Sequence, residues 1–367
     1  MSAPLRIHWR LPQRGEGSGI TRAAQAGTCE TGLPDLENQI RFCREAEASG
    51  IDSLLVDFNW LKPDPILLAT ALGLATTRIR FIIAYRSGLM SPTAFVQQLN
   101  TLSSLIDGRF SLNVVAGYSP EEQRAYGDFL AHDERYARTE EFLRVCNAYW
   151  RGGRAECDGR YYRIEGGRVL TPFVSSDGAT APELLIAGGS AQARELAVAE
   201  GTCWMMFAQP PEQIQAMAGP VLDAGKTIGI RAAVVVRPTR EEALDAARTI
   251  VARADHDGSA RAERRFIASS DSVSMNRAHD AAQAEWLTPY LWTGALRVFG
   301  SSSLVLVGSP DEIVDALFDY RDAGVTQFIF SGWPKLEEMR RFGAEVLPIL
   351  RRREAEAETG ARACASF

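Results

Sequence analysis

The chain has 367 residues, 46% hydrophobic and 23% charged, enough for a large core and long for one domain unless that domain is an α/β barrel with insertions. A formal net charge of −6 argues against nucleic acid as the main partner. No apolar run approaches the ~20 residues of a membrane span. Six scattered cysteines without CxxC spacing and an N-terminus without an apolar leader fit a reducing cytoplasm, and four histidines without HxH or HExxH spacing argue against zinc.

In chain order, the pattern predicts a first strand over Leu5 to Trp9 and then a polar, Gly- and Arg-rich loop from Gln13 to Thr28. Leu36, Ile40, Cys43 and Ala46 keep helical spacing, and Gly50 ends that helix. A strand over Ser53 to Val56 brings Asp57 to its carboxyl end. Pro63 and Pro65 open a helix over Ile66 to Ala75. Strand three is Ile79 to Ala84, followed by Tyr85 and Arg86. Pro92 starts a helix to about Leu105, and the Asp107-Gly108 turn opens strand four, Phe110 to Val115.

Beyond that strand the chain is small and polar, and His132 and Tyr136 fall four apart, on one face of a helix running to Trp150. Asp158-Gly159 marks a hairpin. Strand five, Glu183 to Ala187, leads into Gly188-Gly189-Ser190 and a helix over Ala191 to Ala199. Strand six is Thr202 to Met206, with Pro210-Pro211 opening the next helix. Strand seven is Ala232 to Val236, followed by a helix from near Arg240 to Ala252. Arg253 to Ala284 is polar and weakly periodic, the pattern of a mobile insertion. Ser303 to Val307 is a further short apolar run, followed by a helix over Asp311 to Ala323. Strand eight is Gln327 to Phe330, the last helix runs from Leu336 to about Arg353, and the tail to Phe367 is expected to fray. Eight strand-then-helix units in a single domain over 1–367 argue for a (β/α)8 TIM barrel with insertions, with an open sheet as the alternative.

Asp57, Tyr85, Arg86, Asn113, Ser190, Arg231, Ser331 and Trp333 stand at the expected strand carboxyl ends, which share one mouth in a barrel. Each alone has an ordinary structural reading, as a cap or a satisfied core group; eight together favour the mouth as a site. Gly188-Gly189-Ser190 before a helix is a plausible anion cradle as well as an ordinary cap. GxGxxG is absent, which counts against a Rossmann dinucleotide site. Trp60, Trp204, Phe207, Trp292 and Trp333 supply either core or an apolar wall for a planar ligand. No nucleophile–base order or close carboxylate pair stands out, so cofactor-borne chemistry fits best.

Several stretches together resemble the bacterial luciferase-like flavin monooxygenases, most closely the alkanesulfonate monooxygenase branch. They are IHWRLP (7–12), SPT (91–93), DGR (107–109), NVV (113–115), FLAHDERY (129–136), GGS (188–190), PPE (210–212), LW (291–292) and SGWPKLEE (331–338). The likeness covers nearly the whole chain. It implies a TIM barrel that takes reduced FMN (FMNH2) from a separate NAD(P)H-dependent flavin reductase and reacts it with O2, through a C4a-(hydro)peroxyflavin, to oxygenate a small organic substrate. Asp57, Ala116, His132, Tyr136 and Ser190 are then flavin contacts, the last three around the phosphate, and Arg253 to Ala284 is the segment that closes over the site.

The substrate side departs from the sulfonate branch. Lys62 stands where desulfonating members carry a Cys, Ala233 where they carry a His, Trp333 where they carry a Tyr and Phe299 where they carry an Arg. Arg231 is kept, and Arg297 lies two residues from the lost Arg. Arg231, Arg297 and Trp333 are thus the candidate catalytic residues, no metal is expected, and the departures point away from a plain alkanesulfonate toward a bulkier or less anionic molecule. Alternatives are desulfonation with Arg231 and Arg297 as the clamp, a flavin-binding protein without oxygenase activity, and a deazaflavin F420-dependent dehydrogenase. The resemblance also implies a homo-oligomer, dimer or tetramer, in the cytoplasm, without nucleic-acid or membrane partners.

Overall fold

The computed structural model describes residues 4–13, 34–60, 62–254, 270, 272–300 and 302–364. The sheet begins with β1 (Arg6–Arg10), followed by α1 (Leu36–Ala48), β2 (Ser53–Val56), α2 (Pro65–Leu74), β3 (Arg80–Arg86), α3 (Pro92–Ile106) and β4 (Phe110–Val115). After β4 come α4 (Pro120–Ala125), α5 (His132–Gly152) and a hairpin of β5 (Arg154–Asp158) with β6 (Arg163–Arg168). The alternation resumes with β7 (Glu183–Ala187), α6 (Ala191–Glu200), β8 (Cys203–Phe207), α7 (Pro211–Asp223), β9 (Thr227–Val236) and α8 (Arg240–Ala254). Then follow α9 (Val273–Ala281), β10 (Leu291–Trp292), α10 (Leu296–Phe299), β11 (Val305–Gly308), α11 (Pro310–Asp322) and β12 (Val325–Ser331). The helical C-terminal region comprises α12 (Lys335–Arg341), a π-helical turn (Phe342–Val346) and α13 (Leu347–Cys364).

Parallel pairing runs β1–β2–β3–β4–β7–β8–β9–β12 and back to β1, so eight strands close a (β/α)8 barrel. The strand-to-helix turns explain the repeat. Asp64, Ser91, Ser190 and Ser309 each accept a hydrogen bond from the first turn of the helix they precede, and Pro65, Pro92 and Pro310 sit where a missing N–H costs nothing.

Strand alternation divides the side chains. Ile7, Trp9, Leu54, Val56, Phe81, Ile83, Phe328 and Phe330 point outward into the helix-facing core. Leu55, Ile82, Leu185, Cys203, Met205 and Ile329 fill the barrel interior. Below them Arg6 pairs with Glu183 at 2.8 Å, and Gln327 Nε2 donates to Glu183 at 2.8 Å, a polar plug at the amino-terminal end. His8 lies in this plug, and burial, aided by Arg6, lowers its pKa to about 3, so it packs as a neutral imidazole. Above the apolar layer the same parity delivers Arg10, Asp57, Asn113, Arg231 and Ser331 to the open end.

Three departures from the sequence pattern have a visible cause or consequence. β9 begins at Thr227, five residues before the expected Ala232. Gly229 hides this stretch, yet it is required there, because a Cβ would stand 2.3 Å from Met205 Cε inside the barrel. The run at 303–307 is β11, which takes over the edge of β9 where β8 stops. The last helix persists to Cys364, well past Arg353; Pro348 lacks an N–H, and the bonding register slips to a π turn just before it. The expected loop at 13–28 lies outside the described residues from 14 onward, as does most of the first half of the expected insertion.

Tyr85 and Arg86 do not reach the mouth. Tyr85 stacks on Phe95 with ring centroids 4.1 Å apart, and burial raises its phenol pKa to beyond the ordinary range. Arg86 is buried, with NH2 donating to Glu122 Oε2 at 2.6 Å and its guanidinium over the Phe58 ring. Glu122 Oε1 also accepts from the Trp60 amide at 2.9 Å, which ties the loop after β2 to α4. Glu122→Ala strands a buried cation, so stability should fall by about 3–5 kcal/mol. Urea midpoints at unchanged slope measure this. Arg86→Met combined with Glu122→Leu should recover most of the loss; a double variant as unstable as Glu122→Ala would show that the pair is not the anchor.

Candidate active site

One cavity occupies the open end of the barrel, with about 2050 Å³ of space counting the part open to solvent. The volume comparable with that of other binding cavities is about 270 Å³, near the lower end of the roughly 300–1,000 Å³ of a common small-molecule pocket. Asp57, Ala116, His132, Tyr136, Ser190, Arg231 and Trp333 all line it. Arg297 is not among the lining residues; its NH2 donates to the Ala282 carbonyl at 3.1 Å. Phe299, two residues on, lines the cavity instead and packs against Trp333, with ring centroids 4.5 Å apart and planes tilted by 30°. Of the expected aromatic wall, Phe207 and Trp333 are in place. Trp60 is 44% exposed, and Trp204 and Trp292 are buried outside the lining.

The first half of the site is a glycine turn beneath a helix. Gly188 has φ +152°, and a Cβ there would come within 2.7 Å of Tyr136 Oη and of Ala193 Cβ. Only glycine lets the turn pass beneath Tyr136. The Ser190 hydroxyl accepts from the Ala193 amide at 3.2 Å, and its own hydrogen remains available to donate. The first-turn amides of α6 face the same space, where the helix dipole favours an anion. His132 and Tyr136 stand one turn apart on α5 with rings 5.0 Å apart. Arg135, buried between them in sequence, fixes α5 against the end of β4 by donating from Nε to the Ala116 carbonyl at 3.0 Å. Together these groups suit a phosphate.

Asn113 gives a second indication. Its Oδ1 is buried at the cavity with no partner among the described residues, so a ligand donor would satisfy it. From α9, Arg277 NH1 donates to the Gly189 carbonyl at 3.2 Å, and just before it the Ser270 hydroxyl donates to the Tyr118 carbonyl at 2.7 Å. Ser272, Val273 and Met275 therefore roof the cavity. This is the described part of the segment expected to close over the site.

The other half is charged. Asp57 Oδ2 accepts from Arg10 Nε at 2.5 Å and from Lys62 Nζ at 2.8 Å, and Arg231 NH1 lies 3.5 Å from Oδ1. Gln13 clamps the Asp57 backbone, donating from Nε2 to its carbonyl and accepting its amide, both at 2.9 Å. Burial pushes the Asp57 carboxyl up, but Arg10, Lys62 and Arg231 outweigh it and hold the acid well below the usual carboxylate range. Burial lowers the Lys62 ammonium to about 8, helped by Arg10 and Arg231 and opposed by Asp57. Arg10, Gln13 and Lys335 were not singled out from sequence, and Lys62 only as a replacement. For Arg10 the usable signal was its parity with His8 in the first strand.

The fold and the site define a (β/α)8 barrel whose mouth carries a glycine turn and a helix amino terminus on one wall and a cluster of cations around Asp57 on the other. The chain matches the luciferase-like monooxygenase family model over residues 11–327 and belongs to that family. Among solved structures it is similar to a riboflavin lyase with modified FMN and substrate riboflavin, 21% identical at TM-score 0.74, covering 96% of this chain and 92% of that one. It is also similar to an EDTA monooxygenase from Chelativorans sp. BNC1, 21% identical at TM-score 0.72, covering 96% and 94%. A third similar structure is the coenzyme F420-dependent tetrahydromethanopterin reductase from Methanopyrus kandleri, 16% identical at TM-score 0.68, covering 95% and 100%. At these identities the likeness is one of fold. Among the described residues no helix is long and apolar enough to cross a membrane, and no acid, His or Cys cluster could hold a metal.

The Lys62 environment predicts a pH dependence. An unfolded lysine titrates near ~10.4. The native state releases this proton first, so the unfolded state binds more protons between about pH 8 and 10.4, and stability rises with pH there. The contribution is full above ~10.4 and is lost as pH falls through about 8, amounting to about 3 kcal/mol. Urea midpoints across this range should show a steeper rise in wild type than in Lys62→Met. Parallel curves would mean that Lys62 titrates normally.

Proposed function

We propose that the chain is a two-component monooxygenase that receives reduced FMN from a separate NAD(P)H-dependent flavin reductase and uses O2 to oxygenate a small organic molecule. The observation that carries this reading is the cradle of Gly188, Gly189 and Ser190 beneath Tyr136 and beside His132, in a chain of the luciferase-like monooxygenase family. Ser190 and the first-turn amides of α6 would hold the phosphate, and Asn113 Oδ1 would accept a hydrogen bond from the bound ligand. When bound, the reduced flavin supplies the electrons that activate O2. Ser272, Val273 and Met275 exclude water from the space above it. Phe299 and Trp333 offer an aromatic apolar surface to the substrate.

Two measurements test this. Photoreduced FMN mixed with O2 and a substrate panel should give substrate-dependent oxygen uptake and a product heavier by one oxygen. Uptake that no substrate alters, or selective binding of a deazaflavin in place of FMN, would sink the reading. Ser190→Ala removes a donor to a charged group, so FMN affinity should fall about 10-fold, given the roughly 1.5–3 kcal/mol of such a bond. Riboflavin, which lacks the phosphate, should bind both proteins equally.

A further inference from the structure

The cluster around Asp57 contains more cation than it needs. Arg10, Lys62 and Arg231 surround a single carboxylate, and among the described residues Asp57 is the only acid lining the cavity. The Arg10 and Arg231 side chains are still 27% and 20% exposed, and those of Lys62 and Asp57 12% each, so all four keep an edge toward the chamber. Three cations this close, largely removed from water, repel one another; a second anion would relieve that repulsion.

The phosphate cradle does not supply this second anion. Ser190 follows β7, and β7 stands four strands from β1 in either direction around the barrel. Arg10 ends β1, Asp57 follows β2 and Arg231 lies on β9, so the cluster occupies the wall opposite the cradle. The Phe299–Trp333 pair lies on the cluster's side, Trp333 following β12, which lies between β1 and β9.

We infer that Arg10, Lys62 and Arg231, organised by Asp57, form the oxyanion subsite of the substrate: an organic anion whose carboxylate or sulfonate head seats on the three cations while its apolar body rests on Phe299 and Trp333. This rests on the monooxygenase reading for the word substrate, but not for the binding. Asp57 serves as a positioning residue that holds the cations convergent against their mutual repulsion. Arg231 offers a planar fork suited to a two-oxygen head group, and Lys62 a point charge. Among the described residues, the charged and titratable groups facing Lys62 and its partners are Asp57, Arg10, Arg231 and, beyond Arg231, Tyr118. A bound anion raises the Lys62 ammonium back toward its ordinary value, so binding near pH 8.5 takes up a proton.

Titration calorimetry on the full chain holding oxidised FMN tests this with benzoate, benzenesulfonate and neutral benzyl alcohol as probes, at pH 8.5 in two buffers of different ionisation enthalpy. At least one anion should bind 10-fold or more tighter than the alcohol, with proton uptake. Lys62→Met should weaken that anion about 10-fold and abolish the uptake. Lys62→Arg keeps the charge but cannot titrate, so it should retain the affinity and lose the uptake, which separates the proposal from simple misfolding of the Met variant. Equal binding of anion and alcohol, or unchanged anion affinity in Lys62→Met, overturns it. So does a Lys62→Met protein that loses affinity for reduced FMN while binding the anion normally, because the cations would then serve the flavin ring. Carboxylate and sulfonate preferences are read from the same titrations. None of these readouts needs turnover, so anion binding without oxygen uptake would reject the oxygenase and leave the subsite standing.

Discussion

A strand in a closed barrel gives each residue two choices, inward or toward the helices, and that alternation governs everything at the open end of this molecule. Trp9 faces the helices and Arg10 the chamber; Val56 is core and Asp57 is site. The middle interior layer of Leu55, Ile82, Leu185, Met205 and Ile329 makes this strict, because it separates the polar plug around Glu183 and His8 from the charged chamber above. Slipping one strand by a single residue would turn Arg10 or Arg231 toward the helix-facing core and away from Asp57.

The chamber is asymmetric as a result. On one side, backbone and small side chains do the work. Gly188 admits Tyr136, Ser190 caps α6, and Arg135 pins α5 so that His132 faces the turn. On the other side, ionised groups hold one another. Asp57 is anchored through its backbone by Gln13, leaving its carboxylate to organise three cations. A neutral cradle of amides favours an anion through the helix dipole alone. A surplus of cations is selective, since its energy depends on the charge of what enters.

Much of this was legible in the sequence. The strand-then-helix repeat, the Asp107-Gly108 turn, the His132–Tyr136 spacing and the Gly188-Gly189-Ser190 turn depend on local chemistry, and each stands where its pattern placed it. What escaped depends on contacts distant in sequence. Arg86 looked like a mouth residue because it follows a strand, but Glu122, 36 residues on, draws it under α4. Gly229 broke a strand pattern because the space it leaves belongs to Met205. The cation cluster draws on residues 10, 57, 62 and 231, and no local window contains two strands' ends at once.

Lys62 shows how a position can be found in the sequence and its partners missed. Read against the sulfonate branch, a lysine replacing a cysteine, with Ala233, Trp333 and Phe299 in place of polar residues, points to a less anionic substrate. In the folded chain the same lysine reaches Asp57 and joins Arg10 and Arg231, so cationic groups gather on the β1, β2 and β9 side while Phe299 and Trp333 turn the neighbouring surface apolar. Charge has been moved within the chamber more than removed from it. The size of the anion's body would then be set by the aromatic shelf and its presence by the cluster, two independent features that substitution can vary separately.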